Sequence, residues 1–182
     1  MGVPNLLTIL RILLVPVFVM LFFSPLPGSR IFSTAIFSFA AMTDWLDGYL
    51  ARSLDQVSKL GTFLDPVADK LMVVTALVLL VSEHDLPHLF IPAIVIVWRE
   101  IMVSALREWM ADIGKRSNLA VSSLGKIKTA VQMLSIIFLL LYKPGSYPIL
   151  AVLGYFLLYL AAGLTLWSMC SYLKAAWRDL SA

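Results

Sequence analysis

Apolar runs of about twenty residues, broken by short polar turns, fill this chain almost from end to end. A helical run of ~20 apolar residues spans the hydrocarbon layer of a bilayer. Six such runs are legible, over 7–24, 31–50, 61–82, 89–110, 119–141 and 148–172. Helices satisfy their own backbone hydrogen bonds inside hydrocarbon, whereas an open sheet leaves an unpaired edge there. The expected fold is therefore all-α: a polytopic membrane protein of six transmembrane helices in a single bundle, one domain over residues 1–182. With 60% of residues hydrophobic and 14% charged, the sequence leaves almost no room for a soluble domain.

The first run lacks the basic cluster and the small-residue cleavage site of a secretory signal, so it reads as a mature helix. Cys170 is the sole cysteine, which excludes an intramolecular disulfide. Glu83, His84, Asp85 and His88 share one short loop. A solvated turn is the expected reading there, ahead of a metal site. Arg52 and Lys59, Lys115 and Arg116, and Lys174 and Arg178 fall on one side of the six spans, against Arg30 and Lys143 on the other. The positive-inside rule puts that richer side, with both termini, in the cytoplasm. The net charge of +3 reads as this bias plus attraction to anionic lipid headgroups. No basic face with interleaved aromatics is present, so nucleic acid is not an expected partner.

Four aspartates sit inside this apolar frame. Asp44 and Asp47 come late in the second run, Asp65 and Asp69 early in the third. Burying a carboxylate in a bilayer costs a few kcal/mol or more per residue, so such acids are functional until shown otherwise. The spacings i, i+3 and i, i+4 put each pair on one helical face. The short connection from Ser53 to Leu60 makes the two helices an antiparallel hairpin, so all four acids cluster at the cytoplasmic side. Converging carboxylates hold back their own ionisation unless positive charge neutralises them. Oxygen-only ligands favour hard cations such as Mg²⁺ or Mn²⁺.

Gly48 lies one turn beyond Asp44 and Gly61 one turn before Asp65, which leaves bare backbone beside each acidic face. That suits the close approach of a flat or bulky ligand, or equally the packing of helices. Arg52 continues the Asp44–Gly48 stripe with a planar five-donor cation, as phosphate chemistry wants. Pro66 follows Asp65 directly and disfavours helix at that residue. The segment from Gly61 to Asp69 is nonetheless expected to be helical. Asn5, Thr8 and Arg11 form a polar strip at steps of three on the first helix, expected at headgroup level as a short amphipathic juxtamembrane segment, with Asn5 as a possible cap. Arg99 and Glu100 place opposite charges in the middle of the fourth run, where they are expected to neutralise partners elsewhere in the bundle.

The string from Asp44 to Asp69, D-x2-D-G-x2-A-R-x8-G-x3-D-x3-D, resembles position for position the signature of the CDP-alcohol phosphotransferase family. The likeness extends to Asn5-x-x-Thr8-x-x-Arg11, to Arg99-Glu100 through Ala105-Leu106-Arg107-Glu108-Trp109, to Gly114-Lys115-Arg116 and to Gly125-Lys126-x-Lys128-Thr129. The resemblance implies a dimeric bacterial inner-membrane enzyme, its site facing the cytoplasm, that transfers the phosphatidyl group of CDP-diacylglycerol to sn-glycerol 3-phosphate and releases CMP. By the same resemblance, Asp44, Asp47 and Asp65 ligate two divalent ions (Mg²⁺ or Mn²⁺), and Asp69 completes the second site and acts as general base. Gly48, Ala51, Arg52, Gly61 and Thr62 receive the cytidine nucleotide, and Asn5 and Thr8 close over it.

A phosphorylated acceptor needs a cationic pocket. Arg107, Lys115, Arg116, Lys126 and Lys128 supply that density around the second cytoplasmic connection. Arg107 is the leading candidate, because an Arg fork chelates phosphate oxygens and the adjacent Glu108 occupies a different face. Lipid-headgroup contact is the competing reading for each of the four others. The signature alone is shared by synthases with other acceptors, such as inositol phosphate or serine. Intramembrane acids also suit a divalent-cation transporter, although no acid continues a route through the first, fifth or sixth run.

Overall fold

The computed structural model describes residues 3–53, 59–83, 86–112, 123–143, 145 and 147–180, and for 3–4, 44–53, 59–63, 65, 69, 111, 123–126, 171–172 and 174–180 the helical backbone alone. These residues form six α-helices: α1 Val3–Phe22, α2 Ser29–Ser53, α3 Lys59–Val81, α4 Phe90–Asp112, α5 Ser123–Leu141 and α6 Pro148–Leu180. The described residues contain no strand. Among the described residues two stretches, Asn5–Phe22 and Pro148–Cys170, are long and apolar enough to cross a membrane.

The element ends differ from the sequence expectation where local chemistry decides them. Helix α1 begins at Val3, not residue 7, because Pro4 sits in the first turn, where its missing N–H has no helical acceptor to lose. The expected separate juxtamembrane segment is thus part of α1, and Asn5 lies inside the helix rather than at its cap. Pro25 ends the element on the other side by biasing Ser24 away from helical dihedrals. Helix α3 continues through Pro66 without interruption, so Gly61 to Asp69 is helical as expected. Pro66 is exposed and lacks the N–H that would bond the Thr62 carbonyl. Helix α6 continues beyond residue 172 to Leu180, carrying Lys174 and Arg178 past the apolar stretch. Residues 119–122 of the fifth expected span lie outside the described residues.

The helices neighbour one another in a closed ring, α1–α2–α5–α6–α4–α3 and back to α1, with α2 and α5 also touching α3 across it. The expected α2–α3 hairpin is antiparallel, but each of the two packs more extensively on α1 than on its partner. The interior is filled by side chains such as Phe18, Phe37, Leu77, Leu80, Ile136 and Leu158, each at most 1% exposed. Outward faces carry Leu6, Leu13, Met20, Ile31, Ile94 and Trp167, all more than 60% exposed. An apolar exterior around a packed interior suits lipid as the surrounding solvent.

Gly154 sets the closest approach. A Cβ there falls 2.6 Å from Leu139 Cγ and 2.7 Å from its Cδ2, and the Gly154 carbonyl accepts the Ser135 hydroxyl at 2.7 Å. Gly154→Ala should therefore force α5 and α6 apart and cost about 1–3 kcal/mol by overpacking. A lowered thermal midpoint in detergent checks this; an unchanged midpoint means that Leu139 yields freely.

At one end of the bundle Arg30 acts as a hub. Its Nη2 donates to Glu83 Oε1 at 2.6 Å, its Nη1 to the Tyr142 carbonyl at 3.0 Å, and its guanidinium lies 5.5 Å from the centre of the Phe22 ring. Glu83 is therefore committed to an ion pair rather than left in a solvated turn, while His84 and Asp85 lie outside the described residues. The turn before α4 is tied to α6: the Tyr155 hydroxyl donates to the Pro87 carbonyl at 2.6 Å and the Tyr159 hydroxyl to that of His88 at 3.2 Å. His88 takes a left-handed φ of 62° there.

Candidate functional site

The Arg30 hub fixes the register of three helices at once. From Arg30, α2 descends fourteen residues to Asp44; from Glu83, α3 descends fourteen residues to Asp69; from Tyr142, α5 descends fourteen residues to Lys128. At 1.5 Å per residue all three positions lie about 21 Å below the hub. Asp47 and Asp65 follow about one turn further down. Since α2, α3 and α5 all touch one another, the acid-bearing backbone and Lys128 share one layer at the end of the bundle opposite Arg30. The side chains of Asp44, Asp47, Asp65 and Asp69 lie outside the described residues, as do those of Ala51, Arg52 and Thr62. The backbone places Gly48, Ala51 and Arg52 on the last turns of α2, and Gly61 and Thr62 on the first turn of α3.

Helix α1 brings its polar strip to the same layer from inside. Asn5, Thr8 and Arg11 are 6%, 0% and 1% exposed, so the strip faces the bundle interior and not the headgroups. Arg11 shares a small void with Phe37 and Ala41 of α2, Met72 and Val73 of α3, and Met133 of α5. Those neighbours lie about ten residues below the hub. Thr8 and Asn5, three and six residues closer to the start of α1, thus reach the level of the acids.

Opposite the acids, α4 and α6 supply a buried polar cluster. Glu100 Oε1 accepts from Arg99 Nη1 at 2.8 Å and from Lys128 Nζ at 3.0 Å. Arg99 Nη2 donates to Ser168 Oγ at 3.2 Å, and that hydroxyl donates to the Thr165 carbonyl at 3.0 Å. The expectation that Arg99 and Glu100 neutralise partners elsewhere in the bundle is met, although the two also reach each other despite being adjacent. Lys128 is only 3% exposed, which removes the lipid-headgroup reading for it. A buried ammonium is costly unless paired, and Glu100 is the pair. The sequence had pointed to the cation and missed its carboxylate. A cue was available in the stripe Lys128, Gln132, Ser135, Leu139, whose helical spacing puts Lys128 on the face that packs inward.

The remaining cations are placed differently. Arg107 lies two turns beyond Glu100 on the same face of α4, exposed and about 10 Å nearer the end of the bundle. Lys126 lies on the first turn of α5 with its side chain outside the described residues, and Lys115 and Arg116 lie outside them altogether. Beside Arg107, α4 and α6 leave an apolar groove of about 290 Å³, lined by Met102, Leu106, Trp109, Met169 and Leu173 among others.

Chemically, the layer offers oxygen-only donors from two neighbouring helices at matched depth. That donor set fits hard divalent cations. Lys128, at the same depth, is already engaged by Glu100. Among the described residues no group of three or more His, Cys, Asp or Glu side chains is placed to hold a metal ion.

The sequence model of the CDP-alcohol phosphatidyltransferase family matches residues 1–167. A CDP-diacylglycerol-glycerol-3-phosphate 3-phosphatidyltransferase of Pseudomonas fluorescens is 54% identical over 181 residues, 99% of this chain and 92% of that protein. Proteins of the same name from Yersinia enterocolitica and Pectobacterium atrosepticum are each 49% identical, over 99% and 98% of this chain and 97% of their own lengths.

Proposed function

Because the chain belongs to the CDP-alcohol phosphatidyltransferase family, we propose that it transfers the phosphatidyl group of CDP-diacylglycerol to sn-glycerol 3-phosphate and releases CMP. The observation that carries this reading is identity of 49–54% over nearly the whole chain with proteins named for that reaction. A transporter reading falls with family membership.

Asp44, Asp47 and Asp65 would hold two Mg²⁺ or Mn²⁺ ions, with Asp69 completing the second site. Bound there, the ions supply charge that offsets what builds on the departing CMP phosphate. Asp69 takes the proton from the acceptor hydroxyl as its oxygen attacks the phosphorus that carries the diacylglycerol. The bond from that phosphorus to the CMP oxygen breaks, and CMP leaves with the electron pair. Gly48, Ala51, Arg52, Gly61 and Thr62 receive the cytidine nucleotide, with Asn5 and Thr8 of α1 closing the same layer. Arg107 and Lys128, with Lys115, Arg116 and Lys126, hold the acceptor phosphate. The six helices cross the bacterial inner membrane with this layer towards the cytoplasm, and the enzyme works as a homodimer among its lipids.

The deciding experiment gives the purified protein CDP-diacylglycerol, Mg²⁺ or Mn²⁺ and a panel of acceptors, and measures CMP. CMP release that depends on glycerol 3-phosphate supports the reading. Equal or greater release with inositol phosphate or serine overturns the acceptor. Arg107→Ala should raise the KM for glycerol 3-phosphate about tenfold or more, the worth of a charge-assisted phosphate contact, and leave that for CDP-diacylglycerol nearly unchanged. Equal effects on both would refute a dedicated acceptor subsite.

A further inference from the structure

We infer that Glu100 is a positioning residue for the acceptor phosphate: it fixes the Lys128 ammonium in the acid layer, and Arg99, anchored on Ser168 of α6, fixes Glu100. The inference rests on the proposed reading in which Lys128 meets that phosphate, and it adds three residues that the reading leaves without a role.

The first support is geometric. Among the described residues no Cα of α4 comes within 8 Å of one in α5, so the Glu100–Lys128 pair joins helices that do not pack directly on each other. A pair that merely stapled two helices would be expected where they touch. Here the two helices are held by α6, which packs on both. The pair lies at the depth of Asp44 and Asp69, the level to which the proposed reading brings the acceptor phosphate.

The second support is the division of one oxygen. Glu100 Oε1 serves both Arg99 and Lys128, so it cancels the charge of Lys128 only in part and leaves a field that attracts an anion. An ammonium carries three donors. Glu100 takes one of them among the described residues, and the others are oriented by that bond instead of sweeping freely on a four-carbon stem.

The third support is the backing of the carboxylate. The chain Thr165 carbonyl, Ser168 hydroxyl, Arg99 guanidinium, Glu100 carboxylate and Lys128 ammonium runs unbroken from α6 through α4 to α5. The same register holds along the two helices, since Tyr155 meets Pro87 and Tyr159 meets His88 nearer the hub. A cation placed by such a chain is preorganised for its ligand, which is how fixed charges contribute most to binding and rate.

The test is steady-state kinetics on the full-length enzyme in detergent micelles, varying glycerol 3-phosphate and CDP-diacylglycerol separately. Glu100→Gln keeps the shape and one acceptor oxygen but removes the charge. It should raise the KM for glycerol 3-phosphate by about tenfold, as loss of a charge-assisted bond implies, with the KM for CDP-diacylglycerol nearly unchanged. Lys128→Gln should show the same split, and the double variant should be no worse than Lys128→Gln alone, because the two act as one unit. If Glu100→Gln does not fold, Ser168→Ala, which releases only the anchor, should give a smaller rise in the same KM. A rise with Lys128→Gln and none with Glu100→Gln or Ser168→Ala overturns the positioning role and leaves the acceptor site standing. Unchanged KM values in all three variants overturn the assignment of Lys128 itself. A lowered thermal midpoint with neither KM altered marks a purely structural cluster and also overturns the inference.

Discussion

Asp69→Asn is expected to lower turnover by roughly 10²–10⁴-fold, the usual worth of a positioned general base. Asparagine is nearly isosteric and keeps one oxygen towards a cation, but it cannot accept a proton from the acceptor hydroxyl. Binding of CDP-diacylglycerol should therefore survive in large part while CMP release collapses. Single-turnover CMP release beside equilibrium binding of the nucleotide lipid separates the two effects. Normal turnover in the variant would end the general-base assignment.

Removal of divalent cations has the second large effect. Chelation should lower CMP release by roughly 10³-fold or more, because charge stabilisation by a metal contributes several kcal/mol. Mg²⁺ or Mn²⁺ should restore it. Asp65→Asn should raise the Mg²⁺ concentration needed for half-maximal activity, and titration calorimetry with Mn²⁺ alone should show weakened binding without any lipid substrate. Full turnover after exhaustive chelation is the result that removes the metal from the site. The energetic reason is the same one that makes the acids conspicuous: carboxylates at one depth on touching helices repel one another unless a cation sits between them.

The helix count, the antiparallel α2–α3 pair and the acid layer could be read from the residues because each depends on local periodicity or on a short connection. Asp44 and Asp47, like Asp65 and Asp69, share faces by spacing alone. The start of α1 was misjudged because the polar strip of Asn5, Thr8 and Arg11 looked like a boundary. It is in fact the inner face of a helix already under way, continued by the buried Phe18 and Phe22. The Glu100–Lys128 pair was not legible, for it joins helices that are consecutive in the chain but meet only through α6. The stripe on α5 marks its inward face, but that this face meets α6 through Leu139 on Gly154 and Ser135 on the Gly154 carbonyl was not legible, since these contacts cross a connection whose path the sequence does not specify. Arg107, by contrast, lies exposed towards the end of α4.

The fastenings around Arg30, Tyr155 and Tyr159 gather at one end of the bundle. Arg30 ties α2 to the end of α3 and to the end of α5, while the two tyrosines tie α6 to the entry of α4, so five of the six helices are pinned at that end. The acid layer lies about 21 Å from these fastenings, at a level where the chain Ser168, Arg99, Glu100 and Lys128 links α6, α4 and α5. Helices tied at two levels cannot slide along one another, so the depth of Lys128 is set from both ends of the bundle.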